Sequence, residues 1–164
     1  MSLSAIAAEA GVTRRTLYYH FKDKEALARA YLRHRDRAGR TLFERAHRIS
    51  STAAQSILAL FDSLEAWFRT KEFRGCAFAN VLGEARETLV FAGPIARKHK
   101  VALRDWFVTA CTDGGAEDPA SLGEQLMILF DGAMNASAVR RDPSVARHAR
   151  AAALTLLAAH GLQS

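Results

Sequence analysis

The chain has 164 residues, of which 49% are hydrophobic, enough for one compact domain or for a small head on a larger body. Its net charge of +6 arises in residues 1–50, which contain 11 Lys and Arg against 5 Asp and Glu, whereas residues 51–164 contain 12 of each kind. The longest mainly apolar run, 151–159, is far shorter than the ~18 residues that cross a bilayer, and no secretion signal is recognisable, so membrane insertion and secretion are not expected.

The first predicted helix covers residues 2–10 and can be argued from its two ends. Ser2 is suited to cap it by accepting a hydrogen bond from a free backbone amide, and Gly11 stands where a left-handed residue ends a helix. Its apolar positions follow the helical spacing: Leu3, Ile6, Ala7 and Ala10. The pattern predicts a short amphipathic helix.

The second predicted helix begins after Thr13, which is a suitable cap. Leu17 and Phe21 are one turn apart and are expected to face the first helix. The polar residues of the opposite side and its edges are Arg14, Arg15, Thr16, Tyr18 and Tyr19. A short helix with this face fits a DNA major groove, where arginine binds guanine and hydroxyl groups bind phosphates. The alternative is an ordinary helical hairpin with a solvated basic face.

The hairpin and the residues after it contain the run Ile6-Ala7-x-x-Ala10-Gly11-Val12-Thr13-x-x-Thr16-Leu17-Tyr18-Tyr19-His20-Phe21-Lys22-x-Lys24-Glu25-x-Leu27. This run resembles the DNA-binding signature of the TetR family of bacterial transcriptional regulators. The resemblance implies that the second helix contacts operator DNA through Thr13, Arg14, Arg15, Thr16, Tyr18, Tyr19 and His20. It also implies that Lys24 contacts a phosphate. Family members normally have a further helix before the first one found here, which packs over the face of Leu17 and Phe21. This helix is absent from the given sequence: if nothing precedes Met1, part of the head's core is expected to be uncovered, and if the protein starts upstream, it is expected to be covered.

A long third helix is predicted over residues 24–48. Its inward face is expected to contain Leu27, Tyr31, His34, Ala38 and Leu42. The excess positive charge of the first third of the chain favours a polyanionic partner such as DNA. Seven arginines lie along this helix: Arg29, Arg33, Arg35, Arg37, Arg40, Arg45 and Arg48. Most of them are interpreted as its solvated face, because the helix leads away from the hairpin.

The remaining chain is also predicted to be helical, since no alternating strand pattern occurs. The expected helices cover about 52–70, 76–86, 94–111, 119–140 and 143–160. Pro94, Pro119 and Pro143 each stand near the start of a helix, where a missing amide costs least. The predicted fold is therefore all-α, with a helix-turn-helix DNA-binding domain and connecting helix over 1–48 and a ligand-binding and dimerisation domain over 49–164.

The last two predicted helices are apolar on more than one side, which indicates more than one neighbour. By the resemblance, this pair forms a four-helix bundle with its copy in a second chain. The expected interface residues are Leu122, Leu126, Leu129, Ala133, Ala149, Ala152, Ala153 and Leu156. A two-fold dimer would place two DNA-binding helices side by side and recognise a near-palindrome with half-sites roughly 34 Å, or a multiple of that, apart. The alternative is a monomer that buries both apolar stripes.

The middle of the chain is the expected ligand-binding region. Residues 74–84, with Gly75-Cys76, and residues 129–133, with Asp131-Gly132, resemble elements of a TetR subgroup. An apolar cavity with a few polar groups could be formed by Phe61, Trp67, Phe68, Phe78, Asn80, Phe91, Trp106, Phe130, Asp131 and Asn135. The alternative is that these aromatic side chains form ordinary core.

The sequence gives little support for a redox switch, a metal site or catalysis. Cys76 and Cys111 are expected to be reduced and buried, and the six histidines never occur at metal-ligand spacing. No phosphate-binding loop, nucleophile elbow or His-Glu helix motif is present. The sequence therefore predicts neither a metal site nor a cofactor nor an enzyme.

The functional prediction is a cytoplasmic, nucleoid-associated bacterial regulator. It is expected to be a homodimeric repressor that binds a near-palindromic double-stranded operator and is released by a small, mainly apolar effector. Two alternatives remain open, a helical dimeric interaction module with a degenerate DNA head and a small-molecule enzyme.

Overall fold

The computed structural model describes residues 2–85 and 90–162. Within these ranges the chain forms eight α-helices and no strand. The helices are α1 (Leu3–Glu9), α2 (Arg14–His20), α3 (Lys24–Arg48), α4 (Ala53–Phe68), α5 (Ala77–Ala85), α6 (Ala92–Asp113), α7 (Pro119–Arg140) and α8 (Val145–Ala159). The prediction of an all-α fold with a helix-turn-helix head is confirmed. The predicted end of the fifth helix at Arg86 lies outside the described residues.

Five helices begin at a side chain that caps the first turn. In each case an oxygen of the capping side chain accepts a hydrogen bond from the backbone amide three residues later. The capping residues are Ser2, Thr13, Asp23, Thr52 and Asp118. Pro119 adds a pre-set backbone angle at the start of α7. These local signals explain why the helix starts follow from the sequence.

The main core lies among α4, α6, α7 and α8, with the second half of α3 packed against it. Its fully buried side chains include Leu60, Phe61, Phe107, Leu122, Leu126 and Leu157. The crossing of α6 and α7 is especially close, because a Cβ atom at Gly123 would lie 2.6 Å from Val108 Cγ2 and 2.9 Å from Val108 Cα. Only glycine fits this crossing without moving the Val108 backbone.

Helix α3 belongs to both the head and the body. Its first half packs through Leu32 on α5 and the start of α6, and its second half packs through Phe43 and Ala46 on the main core. The predicted inward face was wrong at three of its five positions, because Tyr31, His34 and Ala38 are exposed. Leu27 and Leu42 are half-buried, and Leu42 packs against the main core. The helix has few apolar residues and changes its packing partner along its length, so a single stripe does not describe it. The domain boundary at residue 48 coincides with the end of α3 and stays a prediction.

Two further observations concern the described residues alone. None of their helices combines the length and the apolar character that a membrane span requires. No group of three or more His, Cys, Asp or Glu side chains in that part of the chain is arranged to hold a metal ion.

Candidate nucleic-acid interface and body cavity

Helices α1 and α2 form a tight hairpin. Ala7 of α1 and Leu17 of α2 are buried. Gly11 has a φ of +65° in the turn, and the Val12 amide donates to the Ala7 carbonyl at 3.0 Å. A left-handed residue at this point turns the chain sharply, so α2 leaves the hairpin with its outer side in solvent.

The outer side of α2 presents basic and aromatic side chains. Tyr19 is 85% exposed and Tyr18 is 45% exposed. Arg14 and Arg15 are exposed and form no ion pair with any described residue. The Tyr19 and His20 rings meet edge to face, with centroids 5.1 Å apart. The guanidinium and hydroxyl groups of this surface can donate hydrogen bonds to phosphate oxygens and to acceptors on the edges of bases.

The two threonines of α2 have a structural task as well. Thr13 Oγ1 accepts a hydrogen bond from the Thr16 amide at 3.0 Å, and the two hydroxyl oxygens are 2.8 Å apart. Thr13 is therefore the helix cap, although its side chain remains exposed. A hydroxyl group that already forms hydrogen bonds within the protein has fewer donor and acceptor sites left to bind DNA.

Lys24 lies at the first position of α3, directly after the capping residue Asp23, whose carboxylate accepts from the Ala26 amide at 2.7 Å. Its side chain is exposed and forms no ion pair in the part of the chain that the structure describes. All eight predicted DNA-contacting residues are thus solvent-accessible. Lys24 lies at the start of α3, and the other seven lie on α2 or at its N-cap: Thr13, Arg14, Arg15, Thr16, Tyr18, Tyr19 and His20.

An open apolar groove of about 320 Å³ separates α1 from α3. Its lining residues are Ile6, Lys24, Leu27, Ala28 and Tyr31. Leu17 itself is buried and Phe21 is half-buried, so the contact between α1 and α2 does not depend on filling the groove.

A second feature lies in the body, where α3, α4, α5, α6 and α7 surround a cavity of about 50 Å³. Three of the ten predicted ligand-binding residues line it, namely Trp67, Phe78 and Phe130. Seven do not: Phe61, Phe68, Asn80, Phe91, Trp106, Asp131 and Asn135. Phe61 and Trp106 pack in the main core, and Asn80 and Asn135 are exposed. From the sequence, an aromatic side chain can be predicted to lie in the core. Which aromatic side chains line a cavity depends on how the helices pack.

The residues that sequence reasoning missed are the polar ones. Arg35, His99 and Lys100 line the cavity together with Cys76. Arg35 had been interpreted as part of a solvated helix face, and His99 had no motif around it. Since these residues come from two helices more than 60 positions apart, no local sequence signal brings them together.

His99 is held in place by two contacts. Its ring stacks on Phe78 with centroids 3.8 Å apart, and its Nδ1 donates to Asp36 Oδ1 at 2.7 Å. Burial lowers the pKa of His99, and the nearby Asp36 carboxylate offsets this only in part. Burial acts to raise the pKa of Asp36, but hydrogen bonds from His99 and Arg40 outweigh it and lower that pKa. The pair is therefore a neutral imidazole donating to a carboxylate.

Asp131 and Cys76 differ from expectation, whereas Cys111 agrees with it. Asp131 was predicted to orient a ligand, but it forms an ion pair with Lys100. Both cysteines are free thiols, and burial raises the pKa of Cys111 to about 11. Cys111 is therefore an inert core thiol, whereas Cys76 is half-buried at the cavity wall.

The body also has an open cleft of about 510 Å³ at its surface, between the end of α4 and the end of α7. Its lining residues are Phe68, Phe73, Arg74, Ser137, Ala138 and Arg141. Helix α3 contributes nothing to this cleft, which separates it from the cavity described above.

The predicted dimer interface requires a correction. Five of its eight side chains are buried in the chain's own core and cannot contact a second chain: Leu122, Leu126, Ala133, Ala149 and Ala153. Leu129 and Leu156 are half-buried, and Ala152 is exposed. Helices α7 and α8 have apolar residues on their outer side as well as on the side that faces the core. The residues predicted from the sequence to form the dimer interface lie mostly on the side that faces the core.

Comparisons with known proteins agree with this architecture. A family model described as bacterial regulatory proteins of the tetR family matches residues 1–31. A TetR-family transcriptional regulator from Streptomyces coelicolor is 31% identical, with 98% of this chain and 85% of that chain covered and a TM-score of 0.88. A putative TetR transcriptional regulator from Streptomyces avermitilis is 28% identical, with coverage of 99% and 88% and a TM-score of 0.78. No curated protein sequence matches the chain.

A TetR transcriptional regulator from Legionella pneumophila has the same fold at lower sequence similarity. It is 19% identical, with 93% of this chain and 84% of that chain covered, and its TM-score is 0.80. At this identity the likeness concerns the fold alone.

Proposed function

Because this chain belongs to the TetR family of transcriptional regulators, we propose that it is a homodimeric repressor that binds a near-palindromic operator through α2. A small effector that enters the body is proposed to release the operator. The relatives are regulators, and we propose no catalytic activity for this chain.

The observation that carries this proposal is the outer face of α2. Arg14 and Arg15 are exposed, and no described carboxylate pairs with either of them. An unpaired guanidinium can bind O6 and N7 of guanine with two parallel hydrogen bonds. Tyr18 and Tyr19 on α2 and Lys24 at the start of α3 are also exposed, and their hydroxyl and ammonium groups suit phosphate. We assign base contacts to the arginines and phosphate contacts to the others.

The charge distribution supports the same assignment independently. The net charge of +6 arises entirely in the first 50 residues, which contain the hairpin and α3. A field of this kind raises the rate at which a polyanion meets the head and makes the affinity strongly dependent on salt.

The proposed dimer surface is the outer side of α7 and α8. On α7, Ile128 and Val139 are 64% and 76% exposed, and with Gly132 and Asn135 between them they form one stripe at helical spacing. On α8, the exposed residues Ala151, Ala152, Leu154, Thr155, Ala158 and Ala159 give a second, mostly small surface. Exposed apolar side chains on adjacent helices favour a two-fold pairing, in which the same patch serves both chains.

Effector release is proposed to act through α3. This helix begins directly after the hairpin, and its later residues line the body cavity. A ligand that moves α3 therefore changes the separation of the two α2 helices in the dimer. Such coupling typically amounts to about 1–3 kcal/mol, a 5- to 150-fold loss of operator affinity.

The proposal can be tested with the DNA that lies upstream of the chain's own gene. In a gel shift, the purified protein should retard this duplex in the presence of a large excess of random competitor. A complex that the competitor removes completely would indicate non-specific binding and would contradict the repressor assignment.

A further inference from the structure

The half-open cavity lined by α3 to α7 has an apolar, largely aromatic wall. The apolar side chains that line it include Leu42, Phe43, Trp67, Phe78, Phe130 and Met134. Several of these rings are in contact with the core, so the wall is rigid on that side. A flat apolar guest is the kind of molecule that such a surface binds.

An unpaired cation stands at the edge of this wall. Arg35 is half-buried and forms neither an ion pair nor a hydrogen bond with any described residue. Its guanidinium carbon lies 5.5 Å from the centroid of the Trp67 ring. The second cation at the cavity, Lys100, is already paired with Asp131, and no described carboxylate lines the cavity. Because a partly desolvated charge is unfavourable without a counter-charge, this arrangement points to an anionic guest.

His99 also lines the cavity, but its remaining ring nitrogen suits a hydrogen-bond donor of a guest and not a carboxylate group itself. The residue is 7% exposed and lines the cavity, and its Nδ1 is occupied by Asp36. Its Nε2 has no hydrogen-bond partner among the described residues. With the hydrogen on Nδ1, Nε2 is an acceptor that a hydroxyl or N–H group of a guest can use.

The present size of the cavity shows that binding must move a wall. A volume of about 50 Å³ is too small for an aromatic ring, since a cavity of about 150 Å³ is known to accept benzene. On the α3 side the packing is already close, because a Cβ atom at Gly39 would lie 3.3 Å from His99 Cε1. A guest between Arg35 and the rings of Trp67, Phe78 and Phe130 therefore has to move α3 away from the helices that carry these rings, and α3 is the helix that follows the head.

We propose that this cavity binds a small aromatic carboxylate, whose carboxylate group pairs with Arg35 and whose ring lies against Trp67, Phe78 and Phe130. This inference deepens the proposed function and rests on it, because it names the class of effector that would release the operator. Arg35 favours a guest with a negative charge, and the aromatic side chains favour a guest with a flat apolar ring.

The test compares three probes that share one ring and differ in charge: benzoate, benzamide and benzylamine. Binding to the purified full chain is measured without DNA, by calorimetry and by the intrinsic tryptophan fluorescence. Benzoate should bind at least about tenfold more tightly than benzamide, and benzylamine should bind more weakly still. Arg35→Gln should reduce the affinity for benzoate to that for benzamide, while Arg33→Gln, an exposed arginine of the same helix, should leave it unchanged.

Circular dichroism of both variants shows whether the fold is kept. The inference is overturned if none of the probes binds, if benzamide binds as well as benzoate, or if Arg35→Gln keeps the preference for benzoate. Loss of the preference in Arg74→Gln but not in Arg35→Gln would place the anion in the surface cleft and would also overturn it. Operator binding is measured separately by gel shift, so a failure of the effector assignment is distinguishable from a failure of the DNA-binding assignment.

Discussion

Arg15 and Lys24 are both exposed cations of the head, but we expect them to contact different parts of the DNA. Arg15→Ala should weaken operator binding by about 1–3 kcal/mol and relax the base preference at one position of each half-site. Lys24→Ala should weaken binding to all duplexes alike and reduce the slope of log affinity against log salt by about one unit. Titrations of operator and random duplex at several salt concentrations measure both effects. An equal loss on operator and random DNA for Arg15→Ala would contradict a base contact.

At the residue scale, the sequence predicts the head better than the body. The exposure of Arg14, Arg15 and Tyr19 follows from helical periodicity within seven residues, because Leu17 fixes which side of α2 faces inward. The polar groups of the cavity could not be predicted in this way. Arg35 and His99 meet only because α3 packs on α6, and that packing depends on the whole core.

At the element scale, the crossing of α6 and α7 offers a sharp test of packing. Gly123→Ala should lower the free energy of unfolding by roughly 1–3 kcal/mol, because the new Cβ atom would meet the Val108 backbone. Gly83→Ala in α5 is the matched control, since no described atom lies within 4 Å of its added Cβ atom. This substitution should raise stability by roughly 0.5–1 kcal/mol. Urea unfolding measures both values, and equal effects would contradict the close crossing.

The contact between α3 and α6 makes stability depend on pH. Burial lowers the pKa of His99 below its usual 6.5, so on acidification the unfolded chain binds the proton before the folded chain does. The free energy of unfolding should therefore fall as the pH drops below about 6.5, and the lowered pKa of Asp36 extends the fall at lower pH. His99→Asn should flatten this dependence in urea unfolding between about pH 7.5 and about pH 5. An unchanged slope would show that another group is responsible.

The helices themselves were predictable because their starts are encoded locally. Thr13, Asp23, Thr52 and Asp118 cap the helices that the sequence predicts to begin there. The faces of the helices were harder to predict. The inward face of α3 was wrong because its few apolar residues contact two different partners in turn. The dimer stripe of α7 was wrong because both sides of that helix are apolar, and the sequence does not say which side the chain's own core uses.

At the scale of the whole molecule, the proposed dimer depends on the exposed stripe of α7. Val139→Asp places a charge on the exposed apolar stripe of the proposed interface and should shift the protein towards monomer. Val101→Asp is the control, because Val101 is exposed on α6, outside the proposed surface. Light scattering with size-exclusion chromatography measures both masses. A dimer that survives Val139→Asp unchanged would place the interface elsewhere.

The whole account depends on two α2 helices, held at a fixed separation, that recognise a two-fold DNA sequence. The most direct test is selection of duplexes from a random-sequence pool by the purified protein, followed by sequencing of the bound fraction. The account predicts an enriched inverted repeat with half-sites about 34–36 Å, or a multiple of that, apart, and loss of the enrichment in Arg15→Ala. A bound fraction with no enriched sequence, or with a single unrepeated site, would contradict it.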